Sequence, residues 1–587
     1  MKQQKQMYRI IMAVILAAGI CFATSVRIAD PEPCIGLIGD EQMETRPGIP
    51  YLNGRGPGDQ IGTTWYDYQA NGGYGQRVLV DDNDQGHFDW MWRDAANVTR
   101  YCAWNFRYTD GSPYGETQAA PSWSGYVQLD ITQDATPDSQ KTVVTYHFDP
   151  GSALYSWVDI DGGQGWGTWP NTPRSPSVAD VVWPYIAVTT NNDFVMACHG
   201  QPVPGTNMMY LYVSTDTGSS WTEVFRVDSC ATISQFVRSS RNSGSGKVAF
   251  GFTKFITDSF ASGQVDNNVW YLLSTDNGLT WGSPVNLTNY QPADTVRAYN
   301  NVNMIFDNND NLHIAWTGRK VTDDYYEASN IFHWDEVSGN TTIVNSPSIF
   351  YTNDWWIAAT GGGDYGNWRL PADQPQLIID ANGELYCLWH GNDDYNDFSA
   401  AGYINGEFYG AISYDNGATW TDYRNLTGTR SPGAGAGACD DEDYMTACPM
   451  IVNDSIFLTY VEDKDAGGWP QTEGVETENP VRSWVFDKSY VGIDEGQQNV
   501  PQYTGLNLYP NPSVRSSVLS YAVVRAGDVR VGLYDASGRL VSVLECGYRS
   551  AGFYAVDINT AEFANGTYFV VLATPFDKVT RSLVIMH

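Results

Sequence analysis

The chain has 587 residues, so we expect several domains or one large repeat architecture. Asp and Glu number 67 against 33 Lys and Arg, and the resulting net charge of −34 argues against nucleic acid or an anionic membrane surface as a partner. Aromatic residues reach 14%, which excludes a disordered chain. The 57 glycines, with many Asn and Asp residues, predict an all-β protein of short strands and tight turns.

The first 25 residues have the layout of a signal peptide. Three basic residues precede an apolar run over residues 10–23, and the small residues Ala23 and Ser25 stand just before the expected cleavage point. An uncleaved anchor helix is the alternative, but about 20 apolar residues are needed to span a bilayer. We therefore expect residues 1–25 to be removed, residues 26–60 to form an N-terminal extension, and the mature chain to have no transmembrane segment.

Cysteine usage fits an exported protein. One of the nine cysteines, Cys21, lies in the leader, and the remaining eight are an even number that permits disulfides. Cys439 and Cys448 are the first candidates for a pair because only an Asp-rich segment separates them, and Cys198 with Cys230 is a second. The alternative, free cysteines buried in strands, is open for Cys102 and Cys387, which lie in apolar runs.

The middle of the chain repeats one short pattern. The form S-x-D-x-G-x-x-W begins at Ser214, Ser274 and Ser413, and a weaker copy begins at Asp159. Alternating apolar residues precede each full copy, so we expect a strand, then a turn whose Asp accepts backbone N–H bonds and whose Gly takes a positive φ. The Asp and Trp residues of the four copies are Asp161, Asp216, Asp276 and Asp415, with Trp166, Trp221, Trp281 and Trp420.

A second repeated element is a short strand that ends in an aromatic or polar residue. Examples are His87–Trp92, His313–Trp316 and Leu385–Trp389, most of them after a turn rich in Asn and Asp. Successive copies lie roughly 45–75 residues apart, which is the length of a four-stranded propeller blade. The sequence therefore predicts a β-propeller of six or seven blades over residues 61–490.

The S-x-D-x-G-x-x-W box resembles the Asp-box (BNR) repeat of sialidase-like propellers. The resemblance implies that the box residues are structural and lie on a turn between outer strands, away from a central pocket. A sialidase also needs three arginines for the substrate carboxylate, a Tyr nucleophile with a nearby Glu, and an Asp acid/base. The family's N-terminal Arg-Ile-Pro motif is missing here, and the spacing of Arg77, Arg297 and Arg369 matches no such set; scaffold roles are favoured for them.

The last 83 residues, 505–587, follow a polar linker at residues 491–504 and contain three ordered motifs. These are LYPNP from Leu508, YDASGRLV from Tyr534 and NGTYFVVL from Asn565. Alternating runs around tight turns predict a small Ig-like β-sandwich. The motifs resemble the C-terminal sorting domain of type IX secretion cargo. This implies the type IX machinery as a partner and a location in the medium or on the outer surface of a Gram-negative bacterium; a plain accessory domain is the alternative.

Aromatic and acidic residues gather in the loops expected at the mouth of the propeller. Aromatic faces stack on the C–H faces of sugar rings, and carboxylates accept bonds from hydroxyls. Packing between blades is the alternative for each residue. Trp65 to Tyr68, before the first blade, have the same character. The candidate ligand-binding residues are Arg297, Trp355, Trp356, Asp364, Tyr365, Arg369 and Tyr395.

Two classes of function remain open. The favoured one is a non-catalytic surface protein that binds a glycan or a protein; the other is a sialidase-like glycoside hydrolase that uses a carboxylate such as Asp364 or Asp443. No catalytic residue is assigned, and no cofactor is expected. Asp81–Gly86 partly matches an EF-hand loop, but position twelve would be Trp92 rather than Glu, which excludes an EF-hand. Calcium stays open through the acidic run Asp440–Asp443, for which a solvated turn is the favoured alternative.

Overall fold

The computed structural model divides the chain into two compact units, residues 1–492 and 493–587. The predicted signal peptide and most of the N-terminal extension lie outside the described residues, as do Trp355, Trp356 and Tyr395. The structure describes residues 56–587 except 150–152, 171–173, 177, 179, 204–205, 231–232, 257–265, 321–325, 346–349, 354–363, 367, 393–396, 493–505, 510, 524–526, 550–551 and 575–577.

The first unit is built almost entirely of antiparallel strands, most of which pair with their neighbours along the chain. The strands are β1 (Asp59–Thr64); β2 (Val78–Val80), β3 (Gly86–Arg93), β4 (Arg100–Arg107), β5 (Thr117–Gln118); β6 (Ser124–Ile131), β7 (Thr142–Phe148), β8 (Tyr155–Ile160); β9 (Val181–Val188), β10 (Phe194–Val203), β11 (Thr206–Ser214), β12 (Thr222–Cys230); β13 (Phe236–Ser239), β14 (Val248–Phe255), β15 (Asn267–Ser274), β16 (Val285–Asn286); β17 (Val296–Ala298), β18 (Asn303–Phe306), β19 (Leu312–Lys320), β20 (Tyr326–Asp335), β21 (Thr341–Ile343), β22 (Phe350–Asn353); β23 (Ala372–Ile379), β24 (Leu385–Gly391), β25 (Glu407–Ser413), β26 (Arg424–Asn425); and β27 (Asp441–Ala447), β28 (Ser455–Asp463), β29 (Asn479–Asp487).

The earliest of these strands completes the last sheet of the unit. Strand β1 pairs antiparallel with β29, with Asp59 opposite Ser483 and Thr64 opposite Asn479, so the sheet order is β1-β29-β28-β27. The other sheets are β2-β3-β4-β5, β6-β7-β8, β9 to β12 and β23 to β26, while β15 and β17 join β13–β22 into one sheet of ten strands. The unit is all-β, a succession of antiparallel sheets whose last member is completed by the first strand.

The three full S-x-D-x-G-x-x-W boxes form the same hydrogen-bonded turn. Ser214 Oγ donates to Asp216 Oδ1 (2.8 Å), which also accepts the amide of Ser220 (2.8 Å). The boxes that begin at Ser274 and Ser413 repeat these bonds at 2.8–2.9 Å. Each turn follows the third strand of its sheet, β11, β15 or β25. The box is therefore a local device that turns the chain from the third strand toward the fourth.

The weaker fourth copy closes its turn with different partners. Asp161 accepts the amides of Gly167 (3.0 Å) and Thr168 (2.9 Å). Trp166 is 62% exposed, whereas Trp281 donates from Nε1 to the carbonyl of Gly278 (2.8 Å). The irregular copy therefore keeps the capping Asp and leaves its Trp in solvent.

The predicted Cys439–Cys448 disulfide is wrong, because both cysteines are free. Strand β27 runs between them, and its seven residues in extended form span about 20 Å, whereas a disulfide needs Cα atoms within about 7 Å. Cys198 and Cys230 are also free and buried. The alternative of free cysteines buried in strands, which the sequence offers for Cys102 and Cys387, is confirmed at those two positions.

The second unit has two sheets that share one apolar core. Leu508, Leu519, Val531, Val570 and Leu583 from both sheets pack together. The sheet orders are β30-β31-β34 and β33-β32-β35-β36. The strands are β30 (Leu506–Tyr509), β31 (Ser516–Val523), β32 (Gly527–Asp535), β33 (Leu540–Arg549), β34 (Gly552–Asn559), β35 (Gly566–Ala573) and β36 (Lys578–Ile585).

Helical structure in the described residues is confined to single 3-10 turns. None of the described helices has the length and apolar character that crossing a membrane requires. The turns are Pro137–Ser139, Trp469–Gln471, Lys488–Tyr490 and Thr560–Glu562.

The closing strand provides a test of the fold. A Cβ at Gly62 in β1 would stand 2.1 Å from Cζ2 of Trp90, which is 1% exposed. Gly62→Ala should therefore lower the free energy of unfolding by about 1–3 kcal/mol in urea denaturation. The control is Gly435→Ala, where the added methyl meets no atom within 4 Å, and we expect a change below about 0.5 kcal/mol. Equal stabilities of the two variants would contradict this placement of β1.

Candidate functional site

Four sheets of the first unit begin with a strand that contains the same distortion. A β-bulge places a non-glycine residue at positive φ: Tyr126 (55°) in β6, Trp183 (50°) in β9, Gln374 (57°) in β23 and Tyr444 (54°) in β27. This conformation is a strained outlier for bulky side chains, and such bulges concentrate beside functional sites. The same strain recurs in the first strand of four different sheets, so we look for the candidate site beside these four strands.

Three of these residues meet in one buried cluster. The Tyr126 and Trp183 rings lie 6.4 Å apart edge to face, and the Tyr74 and Tyr444 rings lie 4.9 Å apart. We call the whole set the central aromatic cluster; its buried members are Tyr66, Tyr68, Ala70, Tyr74, Met91, Tyr126, Val182, Trp183, Ile233 and Tyr444. Its members come from widely separated parts of the chain, so it lies where several sheets converge.

A narrow central cleft adjoins this cluster; its cavity volume is about 10 Å³, which is room for about one water molecule. Its walls are three tyrosines, one tryptophan, two amide side chains, one arginine and two small residues. No Asp or Glu is among these described lining residues. The residues that line this central cleft are Tyr68, Ala70, Gly72, Tyr74, Asn300, Trp368, Arg369, Gln374 and Tyr444.

Arg369 is the only charged residue among the described lining residues, and it is already paired. Its guanidinium bonds to Asp443 and lies 3.4 Å from Asp441 Oδ2. Tyr74 donates its hydroxyl to the other oxygen of Asp443 (2.6 Å). Although burial opposes the charge, Asp441 and its neighbours raise the pKa of Arg369 above its usual value. Both the arginine and Asp443 are therefore occupied by groups of the chain itself.

Arg77 stabilises the bulge of β27 by a hydrogen bond to its main chain. It is 2% exposed and donates to the main-chain carbonyls of Gln69 (3.2 Å) and Tyr444. Burial lowers its pKa, while nearby Asp89 works in the opposite direction. Arg77 is therefore a scaffold residue, as favoured from the sequence.

One polar atom in the cleft wall has no bond within the described structure. Asn300 is 3% exposed, and its Oδ1 has no hydrogen-bond partner among the described residues. Gln374, by contrast, accepts the amide of Tyr74 (3.0 Å) and donates to the carbonyl of Gly72 (3.1 Å). A buried acceptor without a donor is costly, and the adjoining cavity has room for about one water molecule, a donor that would satisfy Asn300 Oδ1.

Of the residues singled out from the sequence, the structure places Arg369 in the cleft lining. Arg297 instead forms an ion pair with Asp266 (2.9 Å) and is not part of the lining. Tyr365 is buried and donates its hydroxyl to the carbonyl of Asn392 (2.6 Å). Asp364 accepts the amide of Gly366 (3.0 Å), which makes it part of a local turn. Trp355, Trp356 and Tyr395 lie outside the described residues.

The acidic run at Asp440–Asp443 is not a solvated turn. All four side chains are at most 2% exposed, and β27 begins within the run. Lys464 bridges Asp440 (3.1 Å) and Glu462 (2.9 Å), so packing against β28 neutralises part of the charge. Within the described ranges no group of three or more His, Cys, Asp or Glu residues is arranged to hold a metal ion. At the other acidic run, Asp81 accepts the amides of Asn83 and Gln85.

Sequence reasoning missed most of the cleft. Tyr74, Asn300, Gln374 and Tyr444 were not singled out. The sequence does contain a signal for these positions. Asp373-Gln374 and Asp443-Tyr444 are polar pairs at equivalent positions, each near the start of the first strand of its sheet. Aligning the starts of the sheets, rather than the boxes at the outer turns, would have found these positions.

Comparison with known proteins identifies the C-terminal unit. Residues 507–586 match the model of the secretion system C-terminal sorting domain. No curated protein matches the chain. The sorting domain marks type IX cargo of Bacteroidetes, so the protein is secreted or held at the outer cell surface, and the type IX machinery is one of its partners.

Solved structures similar to the chain include several carbohydrate-active enzymes. Penicillium chrysogenum α-L-arabinanase complexed with arabinobiose has 11% identity and a TM-score of 0.35, covering 62% of this chain and 93% of its own. Polysaccharide lyase Uly1 has 9% identity and a TM-score of 0.42, and the match covers 77% of this chain and 95% of the lyase. Hadza microbial sialidase Hz136 has 12% identity and a TM-score of 0.33, and the match covers 67% of this chain and 74% of the sialidase. At such low identities and TM-scores, these likenesses say nothing about activity.

The sorting domain predicts the fate of a truncated chain. Deletion of residues 507–586 should leave the protein in the periplasm, because the address for outer-membrane transport is lost. Immunoblots of periplasm, cell surface and medium measure this distribution. Cys546→Ser, which changes one exposed residue of the same unit, is the control and should be exported normally. Export of the truncated chain at the normal level would contradict the prediction.

Buried Asp373 predicts a pH dependence of stability. Burial raises the pKa of this carboxyl from 3.8 to about 7, although Asn301 and Thr317 donate to it (2.6 and 2.7 Å). Between these two values the folded state keeps a proton that the unfolded state releases. Stability therefore falls as pH rises through this window, by at most about 1.4 kcal/mol per pH unit for one group.

Asp373→Asn removes this proton linkage while keeping an oxygen acceptor. Urea denaturation between pH 5 and pH 8 should show a flatter dependence of unfolding free energy on pH than in the unchanged protein. Asp228→Asn, an exposed carboxylate on β12, is the matched control and should leave the dependence as it was. A dependence that is the same in all three proteins would show that Asp373 ionises at its ordinary pKa.

Proposed function

We propose that the protein is a secreted or surface-held propeller that binds a glycan at the mouth of its central cleft. In this proposal the first unit has seven blades, and the second unit is an Ig-like sandwich that serves as the sorting domain. The blades are β2–β5, β6–β8, β9–β12, β13–β16, β17–β22, β23–β26, and β27–β29 with β1.

The observation that carries the proposal is the chemistry of the cleft wall. Trp368 is partly exposed at the cleft, and the rings of Tyr68, Tyr74 and Tyr444, which are 4–5% exposed, line the same cleft with the amide of Asn300. Aromatic surface with a few placed polar groups is typical of small-molecule sites, and it suits a sugar ring, whose faces are apolar and whose edge carries hydroxyls. The backbone strain at Tyr444 supports a functional reason for holding its ring at this place.

Glycoside hydrolysis is the less supported alternative. Hydrolysis needs two carboxyl groups beside the substrate, or a tyrosine nucleophile with a partner acid, and no Asp or Glu is among the described lining residues. Burial raises the pKa of Tyr444 well above its ordinary value, which makes its phenolate harder to form. Asp443 is bound by Arg369 and Tyr74, so it is not free to transfer a proton.

A glycan array on the purified protein tests the proposal. Trp368→Ala should reduce the affinity for a retained glycan by roughly tenfold or more, because ring stacking against the sugar is lost. Trp166→Ala is the matched control, since this tryptophan is 62% exposed on a turn outside the cleft lining, and its affinity should be unchanged.

A panel of fluorogenic glycosides separates binding from hydrolysis. No turnover is expected. Turnover that disappears in Asp443→Asn would replace the binding proposal with the hydrolase. If the array retains no glycan, the central cleft is rejected as a glycan site. The same holds if the two tryptophan variants and the unchanged protein bind the glycan with equal affinity.

A further inference from the structure

We propose that the pairing of β27 with β28 depends on two bound protons, so that the last sheet of the first unit weakens as the pH rises. The protons lie in two pairs of buried carboxyl groups that face each other across these strands. In each pair one acid is ionised beside a cation and the other is protonated. The inference goes beyond the proposed glycan binding and does not rest on it.

The register of the two strands places acid opposite acid. Asp441 lies opposite Asp463, and Glu442 lies opposite Glu462. All four residues are at most 1% exposed. Residues directly opposite in an antiparallel pair have Cβ atoms about 4.5–5.5 Å apart, where like charges repel. Two buried carboxyl groups this close do not both ionise unless each has its own cation.

In the pair of Glu442 with Glu462, the cations lie beside Glu462. Lys464 Nζ is 2.9 Å from Glu462 Oε1, and an Arg482 nitrogen is 2.6 Å from Oε2. Although burial opposes the charge, these two groups hold the pKa of Glu462 below its ordinary value. None of the ion pairs within the described ranges includes Glu442.

The contact of Glu442 with Thr429 suits a protonated acid. Thr429 Oγ lies 2.6 Å from both carboxyl oxygens of Glu442. A hydroxyl has one proton to donate and can also accept, so both short contacts are fully used when one carboxyl oxygen carries a proton. Burial, with Glu407 and Glu462 nearby, raises the pKa of Glu442 well above its ordinary 4.5. Glu442 is therefore the protonated member of its pair.

In the second pair the cation lies beside Asp441. Arg369 is 3.4 Å from Asp441 Oδ2, and the amide of Gly406 donates to Oδ1. Asp463 Oδ1 accepts the amide of Asp465 (3.1 Å), but its Oδ2 is buried and has no partner among the residues that the structure describes. A proton on Asp463 removes the charge from this bare position. Burial raises the pKa of both acids, that of Asp463 well above 3.8, while Arg369 opposes the rise at Asp441.

Further acids lie near the two pairs. Asp67, in the segment after β1, raises the pKa of Asp463, and Glu407, the first residue of β25, raises that of Glu442. Neither offers a positive charge, and burial raises the pKa of Asp67 itself to about 7 and that of Glu407 to about 8. The charged or titratable groups that other parts of the fold bring to the two pairs are Asp67, Arg369, Glu407, Tyr460, Lys464 and Arg482.

The nearby cations are shared with other carboxylates. Lys464 also contacts Asp440 (3.1 Å), and Arg369 also bonds to Asp443. Together with Arg482 they are engaged by ionised acids, and neither protonated acid is among their ion-pair partners within the described ranges. The protons therefore do the work of counter-charges that the fold does not supply.

The sign of the pH dependence follows from the two protons. The folded chain holds them, whereas the unfolded chain releases them above the ordinary pKa values of 3.8 and 4.5. Stability therefore falls as the pH rises, and each proton contributes about tenfold in the unfolding equilibrium constant per pH unit. Between pH 7 and pH 8 the histidines of the unfolded chain are already neutral, so the two protons together predict a rise of about a hundredfold.

Urea denaturation of the full chain at pH 7 and pH 8 measures this rise. All 21 tryptophans precede residue 493, so tryptophan fluorescence reports on the first unit alone. We expect the unfolding equilibrium constant of the unchanged protein to increase by about a hundredfold or more. An increase of about tenfold or less would overturn the proposal, even if no variant folds.

Two neutral variants assign the protons to their residues. Glu442→Gln and Asp463→Asn each replace a protonated acid with an uncharged amide of nearly the same shape. In either variant the rise from pH 7 to pH 8 should be about tenfold smaller than in the unchanged protein. A residue with a structural role alone would change stability by the same factor at both pH values. Asp228→Asn, an exposed carboxylate on β12, is the control and should leave the rise as it was.

The variants also provide the contradicting outcome. If Glu442→Gln and Asp463→Asn fold and show the same rise as the unchanged protein, the protons are not held in these two pairs and the proposal is overturned. A smaller rise in Asp228→Asn as well would show that the pH dependence arises from overall charge, which also overturns it.

Discussion

The ion pair of Arg369 with Asp441 and Asp443 holds the central region together. Arg369 precedes β23, the two aspartates lie in β27, and Tyr74, which donates to Asp443, precedes β2. One buried network thus joins three parts of the chain around the cleft. Removing one partner would leave a buried charge unpaired, which typically costs about 3–5 kcal/mol. The same network that shapes the cleft also neutralises Arg369, the one charged residue of its described lining.

The strained bulges depend on this framework. A tyrosine or tryptophan at positive φ persists only where its surroundings hold it. Arg77 bonds to the carbonyl of Tyr444, and Gln235 donates to the carbonyl of Trp183 (2.8 Å). Packing within the central aromatic cluster supplies the rest. The bulges turn side chains that would otherwise alternate along a strand, and they bring rings from several sheets to one place.

The features that could be read in advance are those whose contacts are local. The bonds of an Asp-box turn join residues two to four positions apart, as in Ser214 and Asp216, so the turn can be recognised from its own letters. The motifs from Leu508, Tyr534 and Asn565 identified the sorting domain for the same reason. Short separation failed as a guide at Cys439 and Cys448, because an extended strand holds neighbours in sequence far apart in space.

The sequence by itself determined the all-β class, the Asp-box turns and the sorting domain, because turn chemistry and strand alternation are properties of short segments. Only the tertiary structure decided the cleft. Tyr74 and Asp443 are 369 residues apart and meet at 2.6 Å because β1 closes the last sheet and brings both ends of the first unit together. It also decided that Asp440–Asp443 is buried, since the pairing of β27 with β28 and the bonds to Lys464 and Arg369 involve residues that no local pattern connects.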